Sequence, residues 1–180
     1  MLQIPDLIRD NELSNLLQEL VRKYNRMAND RIYGLQIIDQ DAKVLAVNHF
    51  FDNKYNYWDI AAIGAALYGI SKQGKDFFAN SDLNRASLIY NSTQFFCHYI
   101  GSIKTSEGRQ RDLLLLSLAS KDVKIGLIVH HMKKFAPLIK NLIEKNQRIQ
   151  KEMQMSEAEF SEHIDKIKQQ LFTSQSLGVD

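Results

Sequence analysis

The stretch Ile60–Ser71, IAAIGAALYGIS, contains no charged residue. A helix turns by about 100° per residue, so residues three or four apart share a face. On this spacing the stretch carries one bulky stripe and one stripe of small residues. The bulky residues are Ile60, Ile63, Leu67 and Ile70, and the small ones are Ala62, Ala66 and Gly69. A surface helix needs only one buried stripe, so the second stripe predicts self-association.

Length and composition narrow the class of protein. The 180 residues suffice for one domain plus an extension. A net charge of +2 with dispersed basic residues and no nucleic-acid motif predicts no nucleic-acid partner. The apolar stretch is shorter than the roughly 18 residues that a membrane span needs. With one cysteine and no signal-peptide pattern, we expect a cytoplasmic protein.

Apolar spacing predicts the elements on both sides of this helix. A Leu-rich amphipathic helix over Asn11–Met27 comes first, and a hairpin turns at the acidic segment Asp39–Ala42. Asn56 and Asp59 resemble a capping box that opens the central helix, which we expect to end between residues 74 and 80. Three strands then follow, and the short, polar-tipped first one is predicted to be an edge. The five predicted strands are Ile32–Ile38, Lys43–Asn48, Ala86–Asn91, Gln94–Ile103 and Asp112–Ala119.

A long helix is predicted from Lys124. Pro137 lacks an amide proton, so we expect a kink or a break there. Beyond Glu144 the composition is rich in Lys, Glu and Gln. This predicts a domain over residues 1–144 and an exposed helical extension over 145–180 that is frayed at its end. Two interpretations of the extension stay open, a solvated helix without function or an arm that docks on the dimer or on a partner.

The pattern contains no catalytic, cofactor-binding or metal-binding constellation. His130 and His131 are adjacent on a helix and diverge by about 100°. Cys97 and His98 are adjacent in a strand and point to opposite faces, which disfavours a Cys–His nucleophile pair. No phosphate loop follows the glycines of the central helix. We therefore expect neither an enzyme nor a GTPase.

Two sets of contact residues are predicted. In the dimer, the small stripe meets a second copy while the bulky stripe covers the sheet, and the edge strand gains a partner. The predicted dimer interface comprises Ala62, Ala66, Gly69, Gln73, Leu88 and Tyr90. The possible partner contacts are of two kinds. Three are aromatic residues, because interfaces are enriched in aromatic residues, and three are apolar anchors of the extension. These are Tyr55, Tyr57, Trp58, Ile149, Met153 and Phe160.

The order of these elements, the leading Leu-rich helix Leu13–Val21 and three further sequence segments resemble the roadblock family of dynein light-chain-like domains. The segments are Gly34–Asn48 (GLQIIDQDAKVLAVN), the Ala-rich helix Asp59–Gly69 and Lys124–Glu144 (KIGLIVHHMKKFAPLIKNLIE). The resemblance covers roughly residues 10 to 145. The chain departs from the family pattern at Ala42, where a turn glycine is frequent, and at Pro137.

The resemblance implies a two-layer α/β (α+β), roadblock/profilin-like fold. Its five-stranded antiparallel sheet has the strand order 2-1-5-4-3, with the central helix on one face and the terminal helices on the other. It also implies a dimer with antiparallel central helices and joined third strands. Family members are mostly not enzymes. They serve as dimeric platforms in motor, lysosomal and bacterial polarity complexes, and several bind or regulate Ras-like small GTPases.

The function implied is a non-enzymatic homodimeric scaffold or regulator of a Ras-like small GTPase, or of a complex containing one. The alternative is a PAS-like domain that senses a small ligand, since that fold also has a five-stranded antiparallel sheet. Such a sensor needs an internal cavity, which Phe95, Phe96 and Tyr99 could line. The small stripe argues against a sensor, because a sensor does not need close helix–helix approach there.

Overall fold

The computed structural model describes residues 12–29, 31–48, 55–78, 83–155, 158–159 and 162. Their helices and strands follow the predicted order, with one further short helix. In chain order they are α1 (Glu12–Ala28), β1 (Ile32–Asp39), β2 (Val44–Val47), α2 (Tyr57–Gln73), a 3₁₀ helix (Gly74–Phe78), β3 (Arg85–Ile89), β4 (Thr93–Lys104), β5 (Gln110–Ser120), α3 (Ile125–Lys145) and α4 (Gln147–Gln154).

The strands form one antiparallel sheet in the order β2-β1-β5-β4-β3, which confirms the predicted fold class. β5 is the middle strand, and its apolar run Leu113–Leu116 is buried, as expected for a strand covered on both faces. β3 lies at one edge of the sheet, and its residues alternate between exposed and half-buried. The predicted edge strand is therefore an edge strand.

Two hydrophobic cores lie on opposite faces of the sheet. On one face α1, α3 and α4 cover a core that contains Phe96 and Leu115. On the other face α2 covers a core that contains Phe95 and Leu116. Neighbouring residues of a strand point to opposite faces, so Phe95 and Phe96 cannot line one cavity. Phe95 and Tyr99 lie on the α2 side of the sheet and Phe96 on the other side, so these three residues do not line the single internal cavity suggested for a PAS-like sensor.

The face that α2 turns toward the sheet differs from the predicted one. Its buried residues are Tyr57, Ala61, Gly64 and Tyr68. Of the bulky stripe, Ile63 and Ile70 are 43% and 72% exposed, while Ile60 and Leu67 are half-buried. The prediction that this stripe covers the sheet is wrong for Ile63 and Ile70 and holds in part for Ile60 and Leu67. Helical spacing shows which residues share a face but not which face points inward.

The hairpin between β1 and β2 turns without a glycine. Ala42 adopts the left-handed conformation with φ of 66°, which costs a residue with a side chain more than it costs glycine. The Asp39 carboxylate holds the turn, because Oδ1 accepts hydrogen bonds from the amides of Asp41 at 2.9 Å and Lys43 at 3.0 Å. Side-chain hydrogen bonds of this kind favour turns.

The C-terminal helices differ from the prediction in two respects. We expected a kink or a break at Pro137, and α3 is one helix from Ile125 to Lys145 with Pro137 inside it, so the helix is not broken there. α4 begins just after Asn146, whose side chain accepts a hydrogen bond from the Ile149 amide at 3.2 Å. Ile149 and Met153 are fully buried in the core under α1 and α3. This part of the predicted exposed extension therefore packs inside the fold.

A buried lysine ties the hairpin to the end of α4. Lys43 is 3% exposed, and its Nζ donates to the carbonyl oxygens of Met153, at 3.3 Å, and Met155. The last carbonyls of a helix have no partners within the helix, and a cation near them is favourable. The packed structure thus continues beyond the predicted boundary at residue 144.

Candidate interaction surface

Large apolar side chains are exposed mainly on α2 and on two elements that contact it, the 3₁₀ helix and β3. Among the described residues, six of the seven large exposed apolar side chains belong to α2, the 3₁₀ helix, or β3 and the residue after it. We call these six the α2–β3 surface: Ile63, Ile70, Phe77, Phe78, Ile89 and Tyr90. Clustered exposed apolar residues mark interaction sites more often than isolated ones do.

A groove of about 240 Å³ lies between α2 and strands β3 and β4. Its lining is almost entirely apolar, with Ile60 and Ile63 on the helix side and Leu88, Tyr90 and Phe95 on the strand side. The groove is continuous with the α2–β3 surface through Ile63 and Tyr90. It has the chemistry to accept an apolar side chain from another protein chain.

The predicted dimer-interface residues lie along the outer side of α2 and on the β3 edge. Ala62, Ala66 and Gln73 are exposed, and Tyr90 is 58% exposed. The other two, Gly69 and Leu88, are half-buried. No atom lies within 4 Å of the position that a Gly69 Cβ would occupy, so the helix backbone can be approached closely at that point. All six residues are therefore placed where a second chain can reach them.

The predicted aromatic partner contacts are only partly accessible. Tyr55 is half-buried and stacks on Tyr33 with 6.3 Å between ring centroids. Trp58 is half-buried and lies 4.8 Å from the Tyr57 ring. Tyr57 itself is buried, and burial raises the pKa of its hydroxyl to about 12. The Tyr57 carbonyl accepts a hydrogen bond from Gln36 Nε2 at 3.1 Å, so Tyr57 supports the start of α2.

Two of the partner contacts predicted at the C-terminal end are inaccessible. Ile149 and Met153 are buried within the chain's own core, so in this fold neither can contact a partner. The two residues are four positions apart, so they lie on the same side of α4, and that side faces α1 and α3. Phe160 lies outside the described residues.

A polar cluster that the sequence did not reveal anchors the C-terminal half of α2. Asp112 on β5 accepts hydrogen bonds from Tyr68 Oη at 2.8 Å, Lys72 Nζ at 2.5 Å and Ser102 Oγ at 2.5 Å. Burial alone would raise the Asp112 pKa, but these three donors outweigh it and hold the pKa below its ordinary value. Because Tyr68 and Lys72 are fixed to the sheet, the opposite side of α2 stays turned outward.

The residues considered for chemistry do not form a reactive pair. Cys97 is buried in the core under α2, and burial raises the pKa of its thiol to about 12, so it is not a thiolate at neutral pH. His98 points to the other face of the sheet. In the described part of the chain, no group of three or more His, Cys, Asp or Glu residues could hold a metal ion. None of the described helices is long and apolar enough to cross a membrane.

The architecture is that of the Roadblock/LC7 domains. No protein-family model and no curated protein matches the sequence, but solved structures match the fold. The Roadblock/LC7 domain from Streptomyces avermitilis aligns over 72% of this chain and 98% of its own, with a TM-score of 0.57 and 17% identity.

Two further similar structures are of MglB proteins. The gliding protein MglB from Thermus thermophilus has a TM-score of 0.59 and 13% identity, and the alignment covers 80% of this chain and 100% of that one. An MglB structure with a tetrameric arrangement has a TM-score of 0.59 and 14% identity, with 79% and 98% covered. At these identities the similarity establishes the fold.

Proposed function

We propose that this protein is a non-enzymatic homodimer that acts in the cytoplasm as a scaffold or regulator of a Ras-like small GTPase, or of a complex containing one. The observation that carries this proposal is the α2–β3 surface on a Roadblock fold. Exposed apolar side chains of this number cost solubility unless another chain covers them.

The dimer part of the proposal rests on three features that one two-fold interface can satisfy. The outer side of α2 presents Ala62, Ala66 and Gly69, which allow a second helix to approach closely. The β3 edge has unpaired backbone groups, which favour pairing with another strand. The apolar groove beside Leu88 can take a side chain from the second copy. In the proposed dimer, two α2 helices pack together and two β3 strands join the sheets.

The GTPase part rests on the fold alone. Several roadblock domains bind or regulate Ras-like GTPases, and MglB shares the fold of this chain. MglB also provides an example of this fold in a multi-chain arrangement. The described residues offer no arginine finger that we can identify. The proposed action is therefore to hold the GTPase or its switch loops in place, without contributing a catalytic group.

Ala66→Glu tests the dimer. A charge in the centre of the proposed helix–helix contact would be buried without a partner, so the variant should be a folded monomer of 20.8 kDa by light scattering. Asn141→Glu on the exposed side of α3 is the matched control and should remain a dimer. A parent protein that is monomeric at micromolar concentration, or a folded Ala66→Glu variant that remains dimeric, overturns the proposed interface.

A pull-down from native lysate, loaded in parallel with a GTP analogue and with GDP, tests the GTPase part. A Ras-like GTPase should be enriched in a nucleotide-dependent manner, and Ala66→Glu should reduce its recovery. If neither nucleotide enriches a small GTPase, the regulator proposal fails while the dimer proposal stands on its own test.

A further inference from the structure

A cavity of about 680 Å³ lies at the corner of the sheet where β3 begins, between the end of α2 and the first half of α3. Three cationic residues line it: Lys75 from the 3₁₀ helix, Arg85 from β3 and Lys133 from α3. None of the described lining residues is acidic. A cavity with several positive charges and no carboxylate among them attracts an anion.

A buried histidine adds a polar group to the same cavity. His98 on β4 is 5% exposed and lies directly opposite Arg85 in the β3–β4 register. Its Nδ1 has no hydrogen-bond partner in the described part of the chain. Nδ1 itself is closed to solvent, so only the accessible remainder of the ring contributes to the cavity wall.

The charges around His98 set its protonation state. Burial lowers its pKa, and the positive charges of Arg85 and Lys133 lower it further. The ring is therefore mainly neutral at pH 7 and adds no positive charge to the cavity. An oxyanion in the cavity would offset the repulsion between the Arg85 and Lys133 cations.

The walls of the cavity extend this site beyond the charged groups. Ile70, Phe78 and Val129 add apolar surface on the sides formed by α2, the 3₁₀ helix and α3. The volume exceeds what a bare inorganic ion fills and falls within the range of small-molecule sites, about 300–1,000 Å³. The ligand should therefore combine an anionic head with an organic body.

We propose that this cavity binds a phosphate ester. The phosphoryl group lies between Arg85 and Lys133, beside the His98 ring, and the organic part packs against the apolar wall. The Arg85 guanidinium can bind two phosphoryl oxygens at once, a geometry in which arginine is favoured over lysine. The cavity shares Ile70 and Phe78 with the α2–β3 surface, but its charged groups Arg85 and Lys133 lie outside that surface, and the inference does not require a GTPase.

Two sources can supply this chemistry, a soluble phosphate ester or the headgroup of a phospholipid. Phe77 and Phe78, next to the cavity, are 87% and 71% exposed. Exposed aromatic residues beside cations are typical of segments that enter the membrane interface. The test therefore uses both kinds of probe.

The full chain is titrated with sn-glycerol 3-phosphate and phenyl phosphate, and separately with phosphatidylcholine vesicles with and without phosphatidic acid. The double variant Arg85→Gln/Lys133→Gln removes two exposed cations from the cavity. The control Lys104→Gln/Lys121→Gln makes the same change of charge at exposed positions elsewhere. We expect saturable binding that is roughly tenfold or more weaker in the cavity variant and nearly unchanged in the control.

The ¹⁵N resonances of the His98 imidazole report whether binding occurs in the cavity. They should shift on titration with the same dissociation constant as the bulk binding signal. Binding of the soluble esters assigns a free ligand. Binding only of vesicles that contain phosphatidic acid, lost in Phe77→Ser/Phe78→Ser, assigns a lipid headgroup.

Three results would overturn the phosphate site. They are no saturable binding of any probe, equal loss of binding in the control variant, or binding that leaves the His98 resonances unchanged. The melting temperature of each variant is measured in the absence of probe. Because both double variants change exposed residues, we expect these temperatures to stay within a few degrees of the parent.

Discussion

Gly64 of α2 lies so close to Leu116 of β5 that a Cβ atom at position 64 would come within 2.6 Å of Leu116 Cδ1. Leu116 is buried in the core under α2, so its side chain has little room to move. The helix backbone rests directly on the sheet at this point. This contact, together with Tyr57, Ala61 and Tyr68, determines which side of α2 faces outward.

Gly64→Ala should therefore destabilise the protein. The added methyl group overpacks the core, which costs about 1–3 kcal/mol, and the better helix propensity of alanine offsets up to about 1 kcal/mol of that. Gly126→Ala in α3 is the matched control, because no atom lies within 4 Å of its Cβ position. Urea denaturation should show a lower free energy of unfolding for Gly64→Ala and a higher one for Gly126→Ala. Equal gains at both positions would contradict the close approach of α2.

Ala42→Gly should stabilise the hairpin. Ala42 has a φ of 66°, and glycine adopts this conformation without the steric cost. Greater freedom of glycine in the unfolded chain removes part of the benefit, so we expect a net gain of several tenths to about 1 kcal/mol. Lys134→Gly on the exposed side of α3 should instead lower the free energy of unfolding by roughly 0.5–1 kcal/mol. A loss at both positions would show that the turn does not need the left-handed conformation.

Ile149→Ala and Met153→Ala should each cost about 2–5 kcal/mol, because both side chains are fully buried and truncation leaves a cavity. Lys151→Ala, on the exposed side of the same helix, should change the free energy of unfolding by less than about 0.5 kcal/mol. The measurement is equilibrium denaturation followed by circular dichroism. If Ile149→Ala is as stable as Lys151→Ala, α4 does not belong to the core. That result would favour the interpretation of the extension as an arm that docks on a partner.

The Asp39 carboxyl should make stability depend on pH. Burial raises its pKa from 3.8 to about 6, although the amide of Lys43 and the charges of Lys43 and Arg111 oppose this. A carboxyl with a raised pKa in the folded state stabilises the fold when protonated. Its contribution is complete below pH 4 and is lost as the pH rises through 6.

Asp39→Asn isolates this contribution, because the amide oxygen can still accept hydrogen bonds from the turn. We expect the stability of the variant relative to the parent to increase between pH 4 and pH 7. The increase should be on the order of 2–3 kcal/mol, given 1.36 kcal/mol per pKa unit. The two proteins are unfolded with urea at both pH values. A difference in stability that does not change with pH would contradict the raised pKa.

Local sequence signals predicted most of the elements and the edge position of β3. The apolar run Leu113–Leu116 and the alternation along β3 report burial through strand periodicity, which is a local property. The family resemblance supplied the strand order. The sequence did not predict which side of α2 faces outward, because Ile63 and Ile70 are more hydrophobic than Ala61 and Gly64. The small size of Ala61 and Gly64 matters only against a particular neighbour.

Features that depend on distant contacts could not be predicted. The composition after residue 144 is polar, and it does not show that Ile149 and Met153 complete the core. The cavity beside His98 is built from residues of α2, β3, β4 and α3 that come together only in the fold. The sequence contains one indication of their role, because Ile149 and Met153 are four residues apart, which is the spacing of one helical face.

The hydrogen bond from Lys43 to the carbonyl of Met153 joins residues that are 110 positions apart. During synthesis, β1 and β2 leave the ribosome long before α4 does. Until then the growing chain exposes the apolar side chains that Ile149 and Met153 later cover. Chain closure over such a span is slow relative to local folding, so the nascent protein has a period in which molecular chaperones can bind it. An interrupted translation product would keep that exposed patch permanently and should be prone to aggregation.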